Sequence, residues 1–231
     1  YGHFRSQRDA DRCVSCNASL ADAQEVKNLY RIENVSTKRA ERITANEEER
    51  VRQGYEMQTT LQFAEADGKL QLVTTIVSDA GGPLLEMQYG QTSTVWRMNF
   101  GWRRRKARAV QGFLMNPVTG HWMGGVEDGN VEEGAEEEAP PDKTPPQRIV
   151  PYVEDRRNIL IVRPHPQLGA LAAETITTLQ YALKRGIEAV YQLEESELMV
   201  EPLPTRDNRQ SILLFEAAEG GAGVLTRLAT E

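Results

Sequence analysis

The sequence predicts an α+β fold: an antiparallel, β-rich lobe followed by a smaller α/β lobe, with a short zinc-knuckle-like N-terminus. Three observations lead there. Apolar residues alternate with a period of two across residues 55–125. They recur with a helical period across 168–185. Between these blocks lies a stretch, 126–150, rich in Glu, Gly and Pro, whose composition cannot bury a core. The expected division is a cysteine knuckle at 1–20, a β-rich lobe at 21–125, an acidic linker or surface loop at 126–150, and an α/β lobe at 151–231 that closes on a glycine block.

Residues 22–32 (DAQEVKNLYRI) have scattered apolar positions and fit either a helix or an extended segment. A short helix is expected over 44–54. Thr44 and Glu47 form a capping box, acids fill the first turn, bases fill the last, and Gly54 follows. The period then changes. Tyr55, Met57, Thr59, Leu61 and Phe63 alternate with polar neighbours, Asp67-Gly68 is a hairpin turn, and 69–78 (KLQLVTTIVS) is the return strand. After Gly81-Gly82-Pro83, a long run rich in Thr, Val and aromatics reads as a further strand. QGFLMN and HWMGG flank a Pro-Val-Thr-Gly turn as a last hairpin. Past the linker, RNILIVRP (157–164) is a buried strand. Residues 168–185 form the strongest helix, with Leu168, Leu171, Ala172, Ile176, Leu179, Ala182 and Leu183 on one stripe. EAVYQL, LMVEPLP and RQSILLFEA (209–217) are strands, EGGAG is a break, and VLTRLATE opens a helix.

At 231 residues, with 39% hydrophobic and 26% charged, the chain is globular. No apolar N-terminal segment reads as a signal peptide, no run approaches the length that spans a bilayer, and its two cysteines cannot staple a secreted fold. A cytoplasmic protein with no membrane partner is expected. A chain that starts at Tyr1 and ends on a helix also reads as a piece of something longer. Its net charge of −7 is concentrated: 127–138 (EDGNVEEGAEEE) holds seven acids, and the remaining 27 acids match the 27 Lys and Arg. The body is neutral, but its bases cluster in RRRKAR, residues 103–108.

Three motifs bear on function. Cys13 and Cys16 have the C-x-x-C spacing that aims two thiolates at one zinc ion. That is half a structural site, and no histidine has the spacing that would complete it; the plain alternative is two ordinary cysteines. EGGAG sits between a strand and a helix, where glycines let backbone N–H groups approach a phosphate. It lacks the Lys and Ser/Thr of a P-loop, which favours a tight turn requiring positive φ, with Glu216 and Glu219 as polar anchors. The run WRMNFGWRRRKAR offers Arg103, Arg104, Arg105 and Lys106 to nucleic-acid phosphates, and Trp96, Phe100 and Trp102 to bases. The alternative is core aromatics beside a solvated charged face. No nucleophile, base or metalloprotease pattern points to catalysis within this chain.

The C-x-x-C pair, AERITANEEERVRQGYEMQT and ILLFEAAEGGAGVL, in that order, resemble the C-terminal region of large bacterial superfamily-two DNA helicases. This is the uncharacterised, zinc-binding part of MrfA-type repair helicases, also found in DISARM-type phage-defence components. The resemblance implies zinc held by Cys13 and Cys16, with the remaining cysteines beyond the glycine block or on another chain. It also implies ATP bound only by the parent motor, and helicase motor domains, in the same or a partner chain, and DNA as partners. The expected role is a non-motor accessory region of an ATP-dependent helicase or translocase. The alternative is a zinc-pinned protein-interaction scaffold without nucleic-acid contact.

Overall fold

A computed structural model of the chain describes residues 29–33, 54–103, 105, 109–120, 122, 144–218 and 221–230. The expected cysteine knuckle, the helix at 44–54 (apart from Gly54) and most of the acidic stretch lie outside these residues. The described part is α+β, mostly antiparallel sheet with two helices.

The chain divides into two compact units that are not consecutive in sequence. The first unit's described residues are 59–96, 154–218 and 221–230. The span 21–125 expected as one lobe is thus shared between units, and its strands 59–96 fold with the C-terminal third. The reason lies in β6 (Gly82–Trp102) and β8 (Gln147–Pro164), which are far longer than an ordinary strand and serve both units.

In the first unit the strand order is β2 (Tyr55–Gln62), β6, β8, β10 (Arg209–Glu216), β9 (Leu198–Pro204). β5 (Val73–Asp79) also pairs antiparallel with β6, placing Thr75 opposite Met87 and Val77 opposite Leu85. The 69–78 segment therefore returns along β6, not along β2. β3 (Glu65–Ala66) and β4 (Lys69–Leu70) form only a small hairpin, closed at Asp67 (φ +51°) and Gly68 (φ +72°) as the sequence predicts.

Successive residues of β8 and β10 feed two apolar clusters, one on each sheet face. Leu160, Val162, Ile212 and Leu214 pack with Tyr89, Leu198 and both helices. Ile159, Ile161, Leu213 and Phe215 pack with Leu61, Val95 and Leu203. Burial on both faces explains why these strands read as continuous apolar runs. The second cluster draws on all five strands of the order. The two ends of that order meet where the Thr59 hydroxyl donates to the Glu201 carboxylate, so the sheet curls around it. Gly90 leaves room for the Phe63 ring that packs against this cluster, because a Cβ there would lie 2.3 Å from it.

Helix α1 (Ala173–Tyr191) lies against β9 and β10 through Ile176 and Ile187. It starts later than 168 and continues through 188–191, which was expected as strand. Ile187 and Tyr191 extend the apolar stripe by one more turn, and the chain leaves at Gln192 in the left-handed region (φ +55°). Helix α2 (Val224–Thr230) buries Val224, Leu225 and Ala229, and Thr75 of β5 donates to the Ala229 carbonyl.

The second unit's described residues are 29–33, 54–58, 97–103, 105, 109–120, 122 and 144–153. Here β1 (Leu29–Arg31) runs parallel to β8, Leu29 opposite Val150, which resolves the ambiguous 22–32 segment as extended at this point. β7 (Phe113–Met115) pairs antiparallel with β8, and Met115 bridges Trp122, the expected last hairpin reduced to one bridge. β8 starts at Gln147 and buries Ile149 and Val150, so the linker ends before 150.

Candidate functional site

The glycine block is built around one buried carboxylate. Glu216 closes β10 and is 2% exposed. Its Oε1 accepts from the backbone N–H groups of Val224 (2.7 Å) and Leu225 (3.2 Å), the first two residues of α2. Its Oε2 accepts from Asn158 Nδ2 at 3.2 Å. Asn158 Oδ1 in turn accepts from the N–H of Thr92, where β6 passes through φ +51°. Gly221 (φ +67°) lies against the same carboxylate: a Cβ there would fall 1.7 Å from Glu216 Oε2 and 2.8 Å from Asn158 Nδ2. The Arg157 guanidinium donates to the Ala217 carbonyl, and the Ala217 N–H donates to the Glu197 carbonyl at 2.9 Å. The exposed donors of a helix start attract negative charge, and here the chain supplies it. The start of α2 after the glycine block is therefore capped by the chain's own carboxylate, not left open as a phosphate cradle. Glu216 is a polar anchor, whereas Glu219 lies outside the described residues. Asn158 was missed by sequence reading, since an asparagine opening an apolar strand gives no spacing signal for a partner at the far end of another strand.

An open cleft of about 320 Å³ adjoins this junction, lined by Leu193, Ser196, Glu197, Ala218 and Ala222 among others. Glu197 Oε2 already accepts from the Glu194 N–H, and Glu216 is committed to α2, so its polar groups serve the fold.

The basic run lies at the end of β6, in the second unit. Gly101 (φ +99°) breaks the alternation and Arg103 begins a turn. The Arg103 Nε donates to the Tyr55 carbonyl at 3.0 Å. Arg105 is 8% exposed; its Nη1 meets Glu56 Oε2 at 2.6 Å and the Trp102 carbonyl at 2.8 Å. Arg104 and Lys106 lie outside the described residues. Of the aromatics expected to stack on bases, Trp96 and Phe100 are buried, and Trp96 donates to Glu154 at 2.8 Å. Trp102 stacks on Tyr55, centroids 4.2 Å apart. Beyond Tyr55 come Phe113 and then Trp122, which is 54% exposed and was not singled out in the sequence.

With this geometry in place, the likeness to known proteins is specific in one region. Residues 179–231 match the family of the MrfA Zn-binding domain. This stretch holds the end of α1, β9, β10, the carboxylate-held turn and α2, and the match bears out the resemblance to the C-terminal zinc-binding region of MrfA-like helicases. Among solved structures, one described as the DUF1998 helicase MrfA bound to DNA aligns over 75% of this chain and 19% of its own, at 10% identity and a TM-score of 0.38. The chain thus spans about a fifth of that protein. No curated protein matches the chain.

Zinc does not fit the matched segment itself. Residues 179–231 contain neither Cys nor His, the side chains that dominate structural zinc sites. Among the described residues, no group of three or more His, Cys, Asp or Glu is placed to hold a metal ion. Cys13 and Cys16 lie outside the described residues. No helix among the described residues is long and apolar enough to cross a membrane.

Proposed function

We propose that this chain is a non-motor accessory region of a cytoplasmic, ATP-driven DNA helicase or translocase acting in DNA repair or phage defence. It braces the motor lobes or guides a DNA strand, and ATP is bound and hydrolysed by motor domains in the same or a partner chain. Zinc, where present, takes Cys13 and Cys16 as two of its ligands. The observation that carries this reading is the match of 179–231 to the MrfA Zn-binding domain. The cations at 103–106, directly after Trp102, support DNA contact, with Arg104 and Lys106 as the stronger candidates because Arg105 is engaged with Glu56. The test replaces Arg104 and Lys106 with Ser in the full-length protein, leaving the Arg105–Glu56 pair intact, and titrates DNA at several salt concentrations. Each phosphate contact removed lowers the salt slope of log K by about 0.9 for duplex or about 0.7 for single strands. Unchanged affinity and slope would favour the second reading, a protein-interaction scaffold. That reading draws on β5, an outlying strand that pairs with β6 and leaves Val73, Ile76 and Val77 in solvent.

A further inference from the structure

We infer that Trp122 is a stacking platform for an unpaired nucleobase. The inference rests on the proposed nucleic-acid contact and assigns it a residue and a strand type. Of the three tryptophans, Trp96 is buried and bonded to Glu154, Trp102 is stacked on Tyr55, and Trp122 stands 54% in solvent.

Trp122 is nonetheless held in place. Its backbone bridges Met115, and its ring meets Phe113 nearly edge-on, at 5.7 Å and 74°. Phe113 is followed by Tyr55 at 6.3 Å and Tyr55 by Trp102 at 4.2 Å, which makes a row of four rings from separate segments of one unit. A fixed, exposed indole loses little conformational freedom on binding a flat partner, the property that makes aromatic side chains good stacking surfaces.

The chemistry of the partner follows from the charges that flank the row in sequence. On the Trp102 side the sequence adds Arg104, Lys106 and Arg108 to the internally engaged Arg103 and Arg105, which suits phosphates; an apolar protein surface would gain nothing from those added cations. On the Trp122 side the sequence offers no cation before seven acids at 127–138, a pattern that suits an uncharged base better than a phosphate. A base offers its face only when unstacked and unpaired, which selects a single strand over a duplex.

The experiment uses the full-length protein and two probes, a fluorescein-labelled oligothymidylate and a labelled duplex, each titrated at several salt concentrations. Trp122→Ala and Trp122→Leu are expected to weaken single-strand binding roughly 5- to 160-fold, the range of one base–aromatic stack. The salt slope should not move, because no phosphate contact is lost, and duplex affinity should also stay constant. Trp122→Phe should keep most of the single-strand affinity. Thermal melting of each variant reports that the fold is intact, as the exposure of Trp122 leads one to expect. If wild type binds with a steep salt slope and Trp122→Ala binds equally well, stacking is overturned while DNA contact stands. A Phe variant as weak as the Ala variant also overturns stacking. If wild type binds neither probe, the proposed DNA contact fails, and the inference with it.

Discussion

The glycine turn of the first unit and the basic-aromatic end of β6 in the second are opposite kinds of construction. At the turn, one buried carboxylate accepts from Val224, Leu225 and Asn158, and a glycine presses onto it with no room for a methyl group. At the β6 end, Arg105 is internal but pairs with a half-exposed Glu56, Arg103 holds a backbone carbonyl, and the aromatic row ends on an exposed indole. The most distinctive motif in the sequence is thus committed to folding, while the less distinctive one keeps an aromatic ring in solvent. Motif specificity and ligand binding are separate properties. A buried polar cluster constrains several residues at once, because each group left unpaired costs about 1–3 kcal/mol.

The sharpest way to break this comparison is Gly221→Ala. A Cβ at φ +67° would lie 1.7 Å from Glu216 Oε2, so the substitution both strains the backbone and expels the cap. Adding left-handed strain to the lost carboxylate bonds gives an expected destabilisation of about 4–5 kcal/mol, read from urea denaturation. Glu216→Ala removes the same bonds without the strain and should cost about 3 kcal/mol. If Gly221→Ala proved milder than Glu216→Ala, close packing on the carboxylate would not be what the glycine is for.

Arg105→Ala probes the other region. It removes a buried guanidinium from Glu56 and from the Trp102 carbonyl, but Glu56 is half-exposed and can be hydrated in its place. The expected loss is about 1–2 kcal/mol, with no change in the salt slope of DNA binding, since this cation is spent internally. A slope that fell by about 0.7–0.9 would instead make Arg105 a phosphate contact and remove the distinction drawn between it and Arg104 or Lys106.

How much of this was legible in the sequence depended on the range of the interaction. Asp67-Gly68 was legible because a two-residue turn encodes its own geometry. RNILIVRP and RQSILLFEA were legible because burial on both faces leaves a continuous apolar run. The 188–191 segment was misjudged as strand because Ala189, Val190 and Tyr191 suit either state, and the decision came from the packing of Ile187 and Tyr191 on the sheet. The pairing of β5 with β6 was hidden because period two states that a strand exists, not which neighbour it takes. At the candidate site, positive φ at Gly221 followed from the glycines themselves. The Asn158–Glu216 bond, across 58 residues, left no trace in spacing. Trp122 was legible only as one side of a hairpin, since exposure is a tertiary property.

The smallest expected effect sharpens the comparison most finely, because it holds backbone conformation nearly constant and varies only surroundings. Gly120 and Gly223 adopt φ +73° and +76°, close to the +67° of Gly221, yet a Cβ at either meets nothing within 4 Å. Gly120 follows Asn116, whose side chain accepts from the N–H groups of Val118 (2.9 Å) and Thr119 (3.1 Å), and its own N–H donates to the Asn116 carbonyl at 2.9 Å. That turn is closed by bonds an alanine leaves in place. Gly223 sits one residue before α2, and the carboxylate bonds fall on the residues after it. Alanine at either position therefore meets only the left-handed backbone cost, about 1 kcal/mol, and the two variants should agree within about 0.5 kcal/mol despite lying in different units. Urea denaturation of Gly120→Ala, Gly223→Ala and Gly221→Ala in parallel separates conformation from contact. Equal costs for all three would assign the glycine block to backbone freedom alone. A threefold or larger excess at Gly221 is the expected result, and assigns it to the carboxylate it touches.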